Sequence, residues 1–246
     1  MGELIAIASG KGGTGKTSVT AGVASALALL GKRVLCIDCD IGLRNLDISL
    51  GLAESCPLSF LDVCEGGYPL SQAAVHPLYP TLHFLTAPMN RPPERINVDA
   101  FGTFLTGARH LYDYIFLDAP AGVDAGFRLA ALFADRCILV TGPGPAAVRD
   151  AARTAQVLEL MGKKNIRLVV NRVEPKLVRA MDTTIDDVMD TAGLPLLGIV
   201  PEDKYVTLAA TFNQPLLKYK PRCAASKACM RIAKRIMGLP EPISIR

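Results

Sequence analysis

A chain of 246 residues, half of them hydrophobic and a fifth charged, can bury a large core, which excludes a disordered or fibrous protein. Its net charge of +4 comes without a block of like charges or a repetitive linker, so nucleic acid is not an expected partner. Tryptophan is absent and the seven cysteines are odd in number; aliphatic residues must fill the interior, and the thiols are expected to be reduced.

The chain opens directly on Glu3–Ser9, a short apolar run suited to a buried parallel strand. No charged leader or separate apolar region precedes it, so a secretion signal is not expected and the protein is read as cytoplasmic. Gly10, Lys11, Gly12, Gly13, Thr14, Gly15, Lys16 and Thr17 follow. They fit the phosphate-loop pattern G-x-x-x-x-G-K-[ST], whose backbone N–H groups cradle a triphosphate. Lys16 is expected at the β- and γ-phosphates and the Thr17 hydroxyl on Mg²⁺. Lys11 is an extra cation that the cradle does not need, free to point toward phosphate bound by a second subunit. Thr17–Leu30 reads as a helix stopped at Gly31. It is too short to cross a bilayer.

Arg33–Asp38 reads as the second strand, and Asp38 and Asp40 lie just beyond or at its end, two residues apart and therefore on one side. That layout suits one carboxylate beside Mg²⁺ and one beside an attacking water. Cys36 and Cys39 have C-x-x-C spacing, but Cys36 falls within the strand and no second pair follows, so both are read as packing residues. Leu58–Cys64 and Asn97–Leu111 are expected helices around a strand at Thr81–Leu85. Tyr114–Asp118 is a strand whose terminal Asp118 can hold Mg²⁺ or its water. Gly122 follows, close enough in sequence to bring its N–H to the γ-phosphate.

A helix at Ala125–Ala134, a strand at Arg136–Thr141 and a helix at Ala146–Met161 come next. A strand at Arg167–Asn171, a helix at Thr184–Ala192, a strand at Leu196–Val200 and a last helix at Ala224–Met237 complete the pattern. The three histidines form no ligand pattern. Strands alternating with helices predict an α/β fold, a three-layer P-loop NTPase (Rossmann-like) with a mostly parallel sheet and helices on both faces. Residues 1–246 are expected to form one P-loop ATPase domain with a tail at 239–246.

The loop Lys11–Thr17, the run Ile37-Asp-Cys-Asp-Ile-Gly-Leu-Arg-Asn-Leu-Asp47, Leu117–Gly122, Val148-Arg-Asp150 and Val200-Pro-Glu-Asp203 together resemble the deviant-Walker-A ATPases of the MinD/ParA family, above all its MinD branch. The likeness runs from residue 2 to about residue 240. It implies an Mg-ATP-hydrolysing switch that forms a homodimer with ATP and controls placement of the division site. It implies that Lys11 crosses the dimer interface, that Asp40 orients water with Asp38 as its neighbour, and that Asn171, Pro201, Glu202 and Asp203 surround the base. It further implies that the helix carrying Arg149 and Asp150 docks regulatory partners of the MinC/MinE type.

The C-terminus departs from that pattern. Lys227, Arg231, Lys234 and Arg235 lie on one side of the last helix, and Cys229, Ile232, Ala233 and Ile236 on the other. This small apolar face suits packing on the sheet, and the bulky face of a membrane-binding helix is not evident. Peripheral membrane association stays open. So do two other functions within the family, DNA partitioning of the ParA type and control of flagellar number. An iron–sulfur relative is disfavoured, because Thr86–Asp99 and Ala119–Gly126 contain no cysteine.

Overall fold

The computed structural model describes every residue except Gly42, Cys56, Asn90, Ile245 and Arg246. One residue of the 37–47 run, one cysteine and the end of the 239–246 tail therefore lie outside the described residues.

In chain order the elements are β1 (Glu3–Ala8), α1 (Lys16–Leu29), β2 (Val34–Asp38), α2 (Leu46–Leu50), α3 (Phe60–Cys64), β3 (Ala74–His76) and β4 (Tyr79–Leu85). They continue with α4 (Val98–Leu111), β5 (Tyr114–Asp118), α5 (Ala125–Leu132), β6 (Arg136–Thr141), α6 (Pro145–Leu160), β7 (Ile166–Val173) and α7 (Pro175–Ala180). The last are α8 (Ile185–Ala192), β8 (Leu196–Pro201), α9 (Lys204–Thr211), α10 (Leu216–Tyr219) and α11 (Ala224–Ile236). The expected strands and longer helices recur within two residues at each end. The short helices α2, α7, α9 and α10 and the strand β3 were not expected.

Among the described residues the strands form one eight-stranded sheet in the order β3-β4-β2-β5-β1-β6-β7-β8. All pairings are parallel except β3 with β4. β1 lies between β5 and β6, so chain crossovers leave it in opposite directions. The crevice at its carboxyl end is the topological switch point, where open α/β sheets bind ligands. The glycine loop follows β1 directly.

Strand alternation divides the core into two layers. Leu4, Ala6 and Ala8 of β1 face a layer completed by Phe101, Leu105, Phe127 and Leu158. Ile5 and Ile7 face the other, completed by Leu27, Phe116, Cys229 and Ile232. α1 is apolar on nearly every side because α2 and α11 cover the flanks that the sheet leaves open, as a fully buried helix requires. The apolar face of α11 is buried at Ala225, Ala228, Cys229, Ile232, Ala233 and Ile236. The C-terminal helix thus packs on the sheet as its small residues predict.

Candidate active site at the carboxyl end of the sheet

Asp118 is the node of the site. Its carboxylate is 1 % exposed and accepts the Thr17 hydroxyl at 2.8 Å and the Thr20 hydroxyl at 2.7 Å. The ammonium of Lys16, itself 6 % exposed, lies 3.0 Å away. A buried lysine and carboxylate that satisfy each other avoid the large cost of burying either charge alone. Thr20 was not among the residues expected here. Its position three residues after Thr17, on the same face of α1, was the available signal.

The start of α1 is open. Gly15, at φ 84°, precedes it without a side-chain cap, and its first turn contains no acidic residue. First-turn N–H groups without a cap, at the positive end of a helix dipole, attract an anion. Three contacts hold the loop before them. The Ser9 hydroxyl donates to the Lys11 carbonyl at 3.1 Å. The Asn171 amide donates to the Thr14 carbonyl at 2.7 Å. A Cβ on Gly10 would lie 2.5 Å from the carbonyl oxygen of Asp150, so α6 packs directly against the loop. Lys11 is exposed.

Asp38 and Asp118 are register partners on neighbouring strands. Burial, and then the Asp118 charge, push the Asp38 carboxyl up to about 7. Its oxygens accept the backbone N–H of Asp40 at 2.9 Å and of Leu46 at 3.2 Å. Asp38 therefore holds both ends of the 38–46 loop. The Arg44 Nε, donating to Thr86 Oγ1 at 2.8 Å, ties the same loop to the end of β4. Asp40 is only part-buried, and its carboxyl is raised by burial, against the pull of Lys16. That makes it more basic than an ordinary aspartate, as a group that takes a proton from water requires.

Gly15, Asn171, Pro201, Glu202 and Asp203 line one cavity with apolar Val19, Val200 and Val206. Within it Glu202 is exposed. Asp203 caps α9 and α11 by accepting the Tyr205 N–H at 3.0 Å and the Ala225 N–H at 3.1 Å. Gly122, at φ 89°, sends its N–H to the Ser9 carbonyl at 3.0 Å. The structure gives that N–H a backbone partner, where the sequence suggested a phosphate. Arg149 is exposed and Asp150 half-buried, side by side near the start of α6. Cys36 and Cys39 are buried free thiols.

The residues fit a magnesium nucleotide. Thr14 Oγ1 is buried without a hydrogen-bond partner, and nothing fills the space beside Gly12 and Gly13. Thr17, Asp38 and Asp118 supply hard oxygen donors. Among the described residues no cluster of three or more His, Cys, Asp or Glu could hold a metal by itself. That is the usual situation for Mg²⁺ shared between one or two protein oxygens and phosphate.

Residues 5–216 match the family model described as the CobQ/CobB/MinD/ParA nucleotide binding domain. The chain belongs to that family. It is 38 % identical over 251 residues to the septum site-determining protein MinD of Bacillus subtilis, covering 100 % of this chain and 92 % of that one. It is 37 % identical over 244 residues to the Synechocystis MinD, covering 98 % and 92 %. Among solved structures it is similar to the MinC:MinD cell division protein complex of Aquifex aeolicus, with a TM-score of 0.90, 35 % identity and 98 % of both chains covered. It is also similar to Pyrococcus horikoshii MinD complexed with Mg-ADP, with a TM-score of 0.83, 29 % identity and 96 % of both chains covered. Membership in the MinD/ParA nucleotide-binding family agrees with the open helix start and with the placement of the loop at the switch point.

Proposed function

We propose that this chain is a MinD-type ATPase switch: it binds and hydrolyses Mg-ATP, pairs with a second copy in the ATP state, and takes part in placing the division site. The convergence of Lys16, Thr17 and Thr20 on Asp118 carries this reading, since it assembles the cation, the hydroxyl and the carboxylate of an NTPase at the mouth of an uncapped helix. Bound Mg²⁺ supplies positive charge to the phosphate oxygens, and Thr17, Asp118 and Asp38 are the residues that would hold it. Lys16 exchanges Asp118 for the β- and γ-phosphates. Gly10 to Thr14 and Gly122 shape the cradle around them. Asp40 orients the attacking water and accepts its proton as the new P–O bond forms and the β–γ bridge breaks. Lys11 reaches across to phosphate held by the other subunit. The cavity at Asn171, Pro201, Glu202 and Asp203 receives the base.

The reading treats residues 1–246 as one ATPase domain, a view supported by the single sheet. It takes Arg149 and Asp150 as the contact for MinC- or MinE-type regulators, supported by the exposure of Arg149 on a helix that touches the phosphate loop. It includes peripheral association with the inner face of the membrane. No helix of the described residues is long and apolar enough to cross one. The direct test is Lys16→Ala, which should weaken binding of a labelled ATP analogue on the order of 100-fold or more, as loss of a buried charge-assisted contact does. Unchanged affinity would refute the assignment of the loop.

A further inference from the structure

Helix α1 presents two hydroxyls to one carboxylate. Thr17 and Thr20 are three residues apart in α1 and lie on the same face of it. Each takes a different oxygen of Asp118. The Thr17 hydroxyl donates to Oδ2 at 2.8 Å, and the Thr20 hydroxyl donates to Oδ1 at 2.7 Å. Lys16 Nζ also lies against Oδ1, at 3.0 Å.

Thr20 is the deepest of these groups. It is 0 % exposed, against 6 % for Lys16, and a side chain without exposed surface acts through its partners. Its single proton has two acceptors within reach, Asp118 Oδ1 at 2.7 Å and the Lys16 carbonyl one turn back in the helix at 3.1 Å. The shorter contact, to the ionised oxygen, is the stronger and takes the proton. Packing alone does not call for a threonine here. Valine has the same shape without the hydroxyl, and the neighbouring Val19, Ala21 and Val23 are buried and apolar.

The two oxygens of Asp118 fare differently when nucleotide binds. As Lys16 exchanges Asp118 for the phosphates, Oδ1 loses its cation and keeps the Thr20 hydroxyl. Oδ2 stays with Thr17. We propose that Thr20 is a positioning residue for Mg²⁺: by holding Oδ1 after Lys16 has left, it keeps Oδ2 turned toward Thr17, where the metal would be held. Without this hydroxyl the carboxylate is free to turn about its Cβ–Cγ bond, and a buried oxygen is left short of a donor. The inference rests on the Mg-ATP reading of the site. It adds to that reading a residue that touches neither nucleotide nor metal.

The test is titration of Mg²⁺ into the full chain with a fluorescent ATP analogue, starting from EDTA. Thr20→Val should bind the Mg-free analogue as the unaltered protein does. It should need about 10–100-fold more Mg²⁺ to reach the Mg-dependent signal, the usual effect of removing a partner of a metal-holding group. Thr20→Ser, which keeps the hydroxyl, should restore the unaltered Mg²⁺ midpoint. Phosphate release by Thr20→Val should be lost at low Mg²⁺ and recovered at high Mg²⁺, a rescue that a packing defect would not show. Thr20→Ala repeats the measurement with less bulk should the valine variant not fold. If Mg-free binding weakens in the variants without the hydroxyl and Thr20→Ser does not restore the midpoint, Thr20 only packs and the proposal is overturned. If the unaltered protein responds to Mg²⁺ and Thr20→Val responds identically, the metal assignment stands and Thr20 alone is misassigned. If the unaltered protein binds the analogue without any response to Mg²⁺, the metal assignment falls and the role of Thr20 falls with it.

Discussion

Gly15 and Gly12 belong to the same loop but answer to different constraints. Gly15 has φ 84°, and a Cβ there would lie 2.2 Å from the Asn171 amide nitrogen that holds the Thr14 carbonyl. Gly15→Ala should therefore cost about 1–2 kcal/mol for the left-handed backbone alone, lower ATP affinity at least about tenfold, and displace Asn171. Gly12 has open space at its Cβ position. Gly12→Ala should leave the stability of the nucleotide-free protein within about 0.5 kcal/mol. Urea titration and calorimetric ATP binding on the pair check both statements. Asp40→Ala should leave ATP binding intact and slow turnover by roughly 10²–10⁴-fold, the usual contribution of a positioned base. Undiminished phosphate release at saturating ATP would remove Asp40 from the chemistry. The loop and the acids were legible in the sequence because their spacing is fixed by the ligand they serve. The Thr20–Asp118 and Arg44–Thr86 contacts were not, because such partners meet only once segments distant in sequence lie side by side.

Elements buried on both faces were the easiest to read. A parallel strand covered by helices on each side becomes a continuous apolar run, and β1, β2, β5, β6, β7 and β8 all show it. β3, a three-residue antiparallel edge strand, lacks both length and period. The helices α2, α7, α9 and α10 have four to eight residues and lack the capping box that marks the start of the equally short α3 and α8. The last helix was legible from its small apolar face, and two glycines explain how closely it docks. A Cβ on Gly198 of β8 would lie 2.4 Å from Ile232 Cγ1, and one on Gly22 of α1 would lie 2.5 Å from Cys229 Sγ. Ile232 is 1 % exposed, so Ile232→Ala should destabilise the protein by about 2–5 kcal/mol. An unfolding free energy from urea titration lowered by less than about 1 kcal/mol would mean that α11 is a loosely attached appendage.

At the scale of the molecule, the site is bounded by the 38–46 loop on one side and by α6, which abuts the nucleotide loop, on the other. Asp38 fixes the 38–46 loop on one side of the site, and the Asp150 backbone abuts Gly10 on the other. Lys11 is the exposed cation of the loop, while Lys16 is buried on Asp118. The two lysines should thus fail differently. Loss of Lys16 removes binding within one subunit. Loss of Lys11 leaves a monomer that still binds ATP but lacks the charge that offsets phosphate repulsion between two facing copies. Desolvated pairs of this kind cost about 2–5 kcal/mol each when truncated, and symmetry makes two of them. The deciding measurement is light scattering in ATP, with Asp40→Ala in the background to block turnover. The Asp40→Ala protein should scatter as a dimer and the Lys11→Ala/Asp40→Ala protein as a monomer with ATP still bound. Equal dimerisation of the two would contradict a switch bridged by Lys11.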